Sequence, residues 1–319
     1  MNRLGLLLAL AGLALAGWLI AQQDLSAVAS LLGSAGAGLL LVVLAHPLCM
    51  APNGWAWGLA MPRHQRPGLG TMTALVWIKQ SVNTLLPVGR VGGEFAAWRL
   101  LRARGVGAAP AAGGMLLDMG VAVVAQLAFA WLGLALLLYE GHAPGWGLAI
   151  GGTLGGLVLA APFIAMQNAG VFARVAGWLA RVTGGRLAGL GADAGRLDRY
   201  LRAAWRNRRL VAWNFAWQMA ANIAGALQIW IALWLLGAPV SFLEAVAIEA
   251  LVQFISAFAF AIPAGLGVVE GAFVVVGALA GLDAMTSVAL ALTRRFRELV
   301  VYLPGLLAWA WAERRIARG

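Results

Sequence analysis

Apolar runs long enough to cross a bilayer recur along almost the whole chain, and no other feature restricts the fold as strongly. They extend roughly over 4–21, 33–60, 68–86, 90–104, 112–138, 144–167, 209–236, 244–262, 264–281 and 286–312. A hydrocarbon core about 30 Å thick takes roughly 20 helical residues to cross. Backbone groups inside lipid must find partners within the protein, which leaves helices or a closed barrel. Strand alternation is missing while Ala, Leu, Gly and Trp dominate, so the expected fold class is all-α and polytopic, in one transmembrane domain over 1–319. With 62% apolar and only 11% charged residues, a water-soluble domain of this size is excluded.

The fourth run is too polar to cross alone, because Arg90, Glu94, Arg99, Arg102 and Arg104 leave only a short apolar stretch. It is expected to pair with the third as a re-entrant helical hairpin, and the eighth with the ninth likewise, leaving six full spans. The first run, Leu4 to Ala21, is expected to be a retained helix rather than a cleaved leader.

The net charge of +11 would suggest nucleic acid in a soluble protein, but here the arginines sit between apolar spans and report orientation. Assigning the N-terminus, the loops near 61–69, 99–110 and 168–208, and the C-terminus to the cytoplasm places 18 of the 23 Lys and Arg there, with none in the opposite loops. The other five lie within membrane elements. Between 168 and 208, arginines including Arg174, Arg181 and Arg196 interleave with Phe172, Trp178, Leu197 and Tyr200. This segment reads either as an amphipathic surface for anionic lipid headgroups or as a plain positive-inside loop. Trp18, Trp146, Trp213, Trp309 and Trp311 fall near span ends, as interfacial anchors do.

The segment from Pro87 to Glu94 echoes that from Pro263 to Glu270 at Pro, Gly and Glu, an offset of 176 residues. The same shift carries 33–60, 68–86 and 112–138 onto 209–236, 244–262 and 288–314. With five elements per half, the halves start on opposite sides of the membrane, an inverted repeat. The first repeat is then 1–138, and the second 139–167 plus 209–319, with the arginine-rich segment 168–208 on the cytoplasmic side. The hairpins would enter from opposite faces, their tips at Pro87, Gly89, Pro263, Gly265 and Gly267 meeting near the midplane. Proline ends the incoming helix, glycine permits the turn, and the next helix presents free N–H groups that attract anions.

Ten charges lie inside membrane elements: Lys79, Arg90, Arg294, Arg295 and Arg297 against Glu94, Asp118, Glu249, Glu270 and Glu298. A single charge at a span centre costs roughly 2.5 to 3.5 kcal/mol, so these must face each other or water. Arg90 with Glu94 and Arg294 with Glu298 are spaced to pair along a helix, as is Arg295 with Glu298. Buried ion pairs that only fix helix packing are one reading; the lining of a polar cavity is the other. Uncharged polar stripes run beside the charges: Asn214, Gln218 and Asn222; Asp118 and Gln126; Glu249, Gln253 and Ser256; Lys79 and Asn83. Singly each is ordinary interhelical hydrogen bonding, but their convergence with the charges favours a cavity.

Signatures of soluble enzymes are missing from the sequence. Gly265-Leu-Gly267 follows no strand, there is no nucleophile elbow or Walker motif, and no Cys/His spacing suits a metal. His46, His64 and His142 are scattered, and Cys49 is the sole cysteine. No cofactor, metal or nucleic-acid partner is expected, and no catalytic residue is assigned.

The stretch Trp77-Ile-Lys-Gln-Ser-Val-Asn-Thr-Leu-Leu-Pro-Val-Gly-Arg-Val-Gly-Gly-Glu94 and the stretch Ile262-Pro-Ala-Gly-Leu-Gly-Val-Val-Glu-Gly271 resemble the flippase-like transmembrane region of lysyl-phosphatidylglycerol synthases and its stand-alone relatives. The likeness is greatest to stand-alone membrane proteins encoded with hopanoid biosynthesis. This resemblance implies lipid translocation between leaflets of the bacterial inner membrane, and the arginine placement puts both termini on its cytoplasmic side. The chain ends just after its last span, so the synthases' soluble aminoacyl-transferase domain is absent from this sequence and aminoacylation is not implied. The cargo it implies is an amphipathic or anionic lipid, with a hopanoid derivative as the subgroup's suggestion.

The expected function is therefore lipid transport through a midplane site formed by Lys79, Asn83, Arg90, Glu94, Asp118, Glu249, Gln253, Glu270, Arg294, Arg297 and Glu298. Two alternatives stay open: a membrane-embedded transferase acting on a lipid-linked substrate, and a non-catalytic scaffold for lipid-biosynthesis enzymes.

Overall fold

The computed structural model describes residues 35–86, 92–141, 188–258 and 266–316, together with positions 26, 30, 32, 33 and 154. The expected span at 4–21, that at 144–167 apart from position 154, residues 168–187, and Pro87, Gly89, Arg90, Pro263 and Gly265 lie outside them. The described residues form α-helices with short 3-10 turns and no strand, as the apolar runs require.

In chain order the helices are α1 (Leu39–Ala45), α2 (Pro47–Leu59), α3 (Leu69–Leu85), α4 (Gly92–Ala103), α5 (Ala108–Tyr139), α6 (Ala188–Arg206), α7 (Arg208–Leu235), α8 (Phe242–Ala257), α9 (Val268–Leu279) and α10 (Ala284–Ile316). Three stretches are long and apolar enough to cross a membrane: Gly36–Leu59, Ala108–Tyr139 and Arg208–Leu235. The 33-residue α10 has the length to cross but carries the charge cluster partway along it. The run over 33–60 differs from expectation in being broken. Pro47 has no N–H to give, so His46 N takes Val43 O at 3.1 Å and the helix restarts as α2.

Helices α3 and α4 form one hairpin, and α8 and α9 another. Their limbs of 17 and 12, and of 16 and 12 residues, rise only about 18 to 26 Å, less than the hydrocarbon thickness. In the first hairpin Leu100 and Leu101, late in α4, pack with Met72 and Leu75, early in α3. The limbs are therefore antiparallel. Gly93 N donates to Asn83 Oδ1 at 2.8 Å, closing the turn, and a Cβ on Gly93 would overlap Lys79 O. In the second hairpin Ile248, Leu251 and Val252 share a core with Val269, Phe273 and Val276. Ser241 caps α8, accepting from Glu244 N at 3.0 Å while Glu244 Oε2 accepts from Ser241 N at 2.7 Å.

Helix bounds recur at the 176-residue shift. Gly92–Ala103 falls on Val268–Leu279, the start of α5 falls on that of α10, and the end of α2 on that of α7. Packing follows the same exchange: α5 lies against α8 as α10 lies against α3, and α2 against α3 as α7 against α8. The self-paired contact is α2 with α7.

The two ends of the bundle differ in charge. Gln65 Oε1 accepts from Gly107 N, Tyr200 OH donates to Ala60 O, and Arg99 pairs with Glu313 at 2.9 Å, which gathers the arginines of 63–66, 99–104, 196–209 and 314–315 at one end. At the other end Ser241 Oγ donates to Glu140 Oε1 at 2.9 Å, and Glu140, Glu244 and Asp283 are the charges among the described residues. Leu44, Leu303, Leu307 and Trp311 are exposed on the flanks, where a bilayer would contact them.

Candidate functional site

The intramembrane charges sort into two groups. The first belongs to the α3–α4 hairpin and the helices around it. Asn83 Nδ2 donates to Glu94 Oε2 at 2.8 Å, and Lys79 Nζ lies 3.9 Å from Glu94 Oε1 and over the Trp57 ring. Glu94 was expected to pair with Arg90, which lies outside the described residues; its described partners are these two. Asp118, on α5, accepts from Asn214 at 3.1 Å and from Gln218 at 2.9 Å, both on α7. Asn214 also donates to Ala56 O at 2.7 Å, so three helices meet at one amide. Asp118 makes no ion pair among the described residues.

These side chains bound a cavity of about 240 Å³, lined by Lys79, Gln80, Glu94, Asp118 and Gln218 with Asn53 and the apolar Val76, Met119, Ala122 and Val123. Of the stripes expected on α3, α5 and α7, Lys79, Asp118 and Gln218 line this cavity, whereas Asn83, Asn214 and Asn222 do not. Gln126 does not line it either, and its buried Nε2 has no partner among the described residues.

The second group is built around α10. Arg294 reaches Glu249 Oε2 at 3.2 Å and Glu298 Oε1 at 3.3 Å. Arg295 reaches Glu270 Oε1 at 2.7 Å and Glu298 Oε2 at 2.9 Å. Arg297 lies 3.6 Å from Glu298 Oε1 and donates to Gln228 Oε1 at 2.7 Å. Gln253 Nε2 donates to Glu249 Oε1 at 2.6 Å. The pairs expected three and four residues apart on α10 are both present. Glu270 does two things at once: its Oε2 accepts from Gly267 N at 2.8 Å at the start of α9, while its Oε1 holds Arg295. Gly267, the hairpin-tip residue within the described range, has φ 77°, a conformation that favours glycine. Three guanidinium groups thus face three carboxylates, which keeps the group formally neutral.

Neutral residues that sequence reasoning passed over join the two groups. His46 Nδ1 lies 3.0 Å from the Gln228 Oε1 that Arg297 also uses. Tyr302 OH lies 3.1 Å from His46 Nε2 and donates to Gln80 Oε1 at 3.2 Å. Gln80 lines the cavity. A line of polar contacts therefore runs from the arginine cluster through Gln228, His46 and Tyr302 to the cavity. The free thiol of Cys49 sits beside it, 3.7 Å from Gln228 Nε2. Arg294 and Arg297 line no part of the described cavity; carboxylates and Gln228 engage them instead. No group of His, Cys, Asp and Glu among the described residues could hold a metal ion.

Polar side chains from both hairpins are held between spans, and the comparison with protein families decides the assignment. The model of the lysylphosphatidylglycerol synthase TM region matches residues 4–305. The chain belongs to this family. Comparison with curated proteins and with solved structures found no match for either. Membership of the lysylphosphatidylglycerol synthase TM family makes this a multi-pass membrane protein associated with lipid. The match covers both hairpins, both charge groups and the connecting polar line.

Proposed function

We propose that this chain moves an amphipathic lipid between the membrane leaflets, holding the polar headgroup in the cavity bounded by Lys79, Glu94, Asp118 and Gln218. The observation that carries the reading is that cavity: a polar space presenting both signs of charge, flanked by helices that lipid surrounds. A cavity lined by charge inside a bilayer is costly unless occupied by water or polar cargo. The α10 cluster is neutralised by its own partners, whereas among the described residues Asp118 meets only amide donors, so the cavity is where a headgroup or a proton can still alter the charge balance. The polar line through Gln228, His46 and Tyr302 gives the two groups a means of influencing each other.

The recurrence of helix bounds and contacts at the 176-residue shift supports two inverted halves, with the cavity near their junction. The arginine-rich end supports cytoplasmic termini and placement in a bacterial inner membrane. A hopanoid derivative as cargo rests on the sequence resemblance. The reading is one of transport rather than group transfer.

The test is leaflet exchange of a labelled lipid in vesicles reconstituted with purified protein. Lys79→Gln and Asp118→Asn proteins with parental elution profiles and helix content are expected to exchange lipid at least tenfold more slowly. Parental rates in both variants would overturn the proposal. Product formation from a supplied lipid and donor, with no exchange, would instead support a membrane-embedded transferase.

A further inference from the structure

A second, larger cavity lies apart from the midplane, at the arginine-rich end of the bundle. It has a volume of about 730 Å³ and opens between the 61–66 loop, the last turns of α6 and the start of α7. Arg63, Arg66 and Arg209 line it, and no acidic side chain among the described residues does. Its other wall carries Trp55, Trp213 and Trp217, with Trp55 edge-on to Trp217 at 6.5 Å between ring centroids. Cations thus stand toward the aqueous end while indoles lie along two spans, the arrangement a headgroup region favours.

The three arginines have donors to spare. Arg66 Nη2 donates to Leu59 O and Met61 O, both at 3.3 Å, which fixes the guanidinium at the end of α2, while its buried Nε has no partner among the described residues. Arg63 and Arg209 are exposed and make no hydrogen bond or ion pair among the described residues. Burial, and then the nearby Arg63 charge, lower the pKa of Arg66. Tyr200 closes the base of the groove: its hydroxyl donates to Ala60 O, its ring leaves no room for a Cβ on Gly113, and burial pushes its pKa up to about 12. Arg66 and Tyr200 are thus held in place, while Arg63 and Arg209 stand at the rim with their donors turned to no protein partner among the described residues.

We propose that this groove is a binding site for an anionic phospholipid of the surrounding leaflet, its phosphate held by Arg63, Arg66 and Arg209 and its acyl chains lying along the Trp55–Trp213–Trp217 face. Guanidinium forks suit phosphate oxygens, and the indoles suit the glycerol and upper acyl region. The site is separate from the midplane cavity and does not depend on transport being the protein's activity.

The test uses native mass spectrometry of the full chain released from nanodiscs containing equal phosphatidylglycerol and phosphatidylcholine. The parent is expected to retain one phosphatidylglycerol in preference to phosphatidylcholine. The double variant Arg63→Gln/Arg209→Gln, which spares the helix-capping Arg66, is expected to lose that preference on the order of tenfold. Arg314→Gln/Arg315→Gln, with the same change of net charge at the same end, is expected to keep it. An undiminished preference in the first variant, or an equal loss in both, overturns the site.

Discussion

Replacing Glu298 by Gln tests whether the α10 cluster is held by charge balance. Its carboxylate meets Arg294 at 3.3 Å, Arg295 at 2.9 Å and Arg297 at 3.6 Å. At an effective dielectric constant of about 20, each such pair is worth roughly 5 kcal/mol before desolvation. Most of that is offset by the cost of burying the ions, so the measurable loss is about 3 to 5 kcal/mol, as for other buried pairs broken from one side. Glu298→Gln leaves three guanidinium groups facing only Glu249 and Glu270. Adding Arg297→Gln restores two matched pairs, Arg294 with Glu249 and Arg295 with Glu270, and is expected to recover about 1 to 3 kcal/mol. Denaturant titration in mixed micelles, followed by helix content, measures both variants against the parent. A Glu298→Gln protein within about 1 kcal/mol of the parent, or a double variant as unstable as the sum of the singles, would refute the reasoning.

Three further outcomes follow from local geometry. A Cβ at Gly277 would collide with Ser287 Oγ but stand 3.1 Å from Ser287 Cβ, so Gly277→Ala should cost about 1 to 3 kcal/mol and Ser287→Ala should restore much of it in the same titration. Gly93→Ala has no such rescue, because its Cβ would meet the Lys79 backbone carbonyl; it is expected to abolish leaflet exchange and sharply reduce folded yield on size-exclusion chromatography. Asp283, outside the spans, accepts from Thr286 N at 2.8 Å, and that hydrogen bond chiefly lowers its pKa. Its stabilising effect is therefore present above the ordinary aspartate range and lost as pH falls through the depressed folded value. Asp283→Ala should cost about 1 kcal/mol near neutrality and converge with the parent in acid, and a gap that persists at low pH would count against the assignment.

The described spans and the paired helices α3–α4 and α8–α9 were legible in the sequence because hydrophobic length and its interruption are local signals. Arg294 and Arg295 with Glu298 were legible for the same reason, since spacing along one helix decides who meets. What the sequence withheld is contact across the fold. Glu249 with Arg294, and Glu270 with Arg295, depend on how α8 and α9 cross α10. Arg295 was counted among the charges yet left out of the expected site, although it ties the second hairpin to the last helix. His46, Gln228 and Tyr302 carry no formal charge and form no stripe, so charge counting missed them. Their one signal was polarity inside otherwise apolar runs, with Pro47 marking a break next to His46.

Several helix pairs touch where glycine removes the side chain between them: α2 with α3 at Gly54 and Thr73, α3 with α4 at Gly93 and Lys79, α2 with α5 at Gly114 and Ala60, α5 with α8 at Gly133 and Ala247, and α3 with α10 at Gly305 and Ser81. Parting any of these seams would open bare backbone to hydrocarbon, with no side chain to fill the gap. The seam between α5 and α7 is instead stitched by Asp118, Asn214 and Gln218. Among the walls of the smaller cavity, the join of α4 to α5 has neither kind of fastening. It rests instead on the apolar core that Leu100 and Leu101 share with Val106 and Ala111.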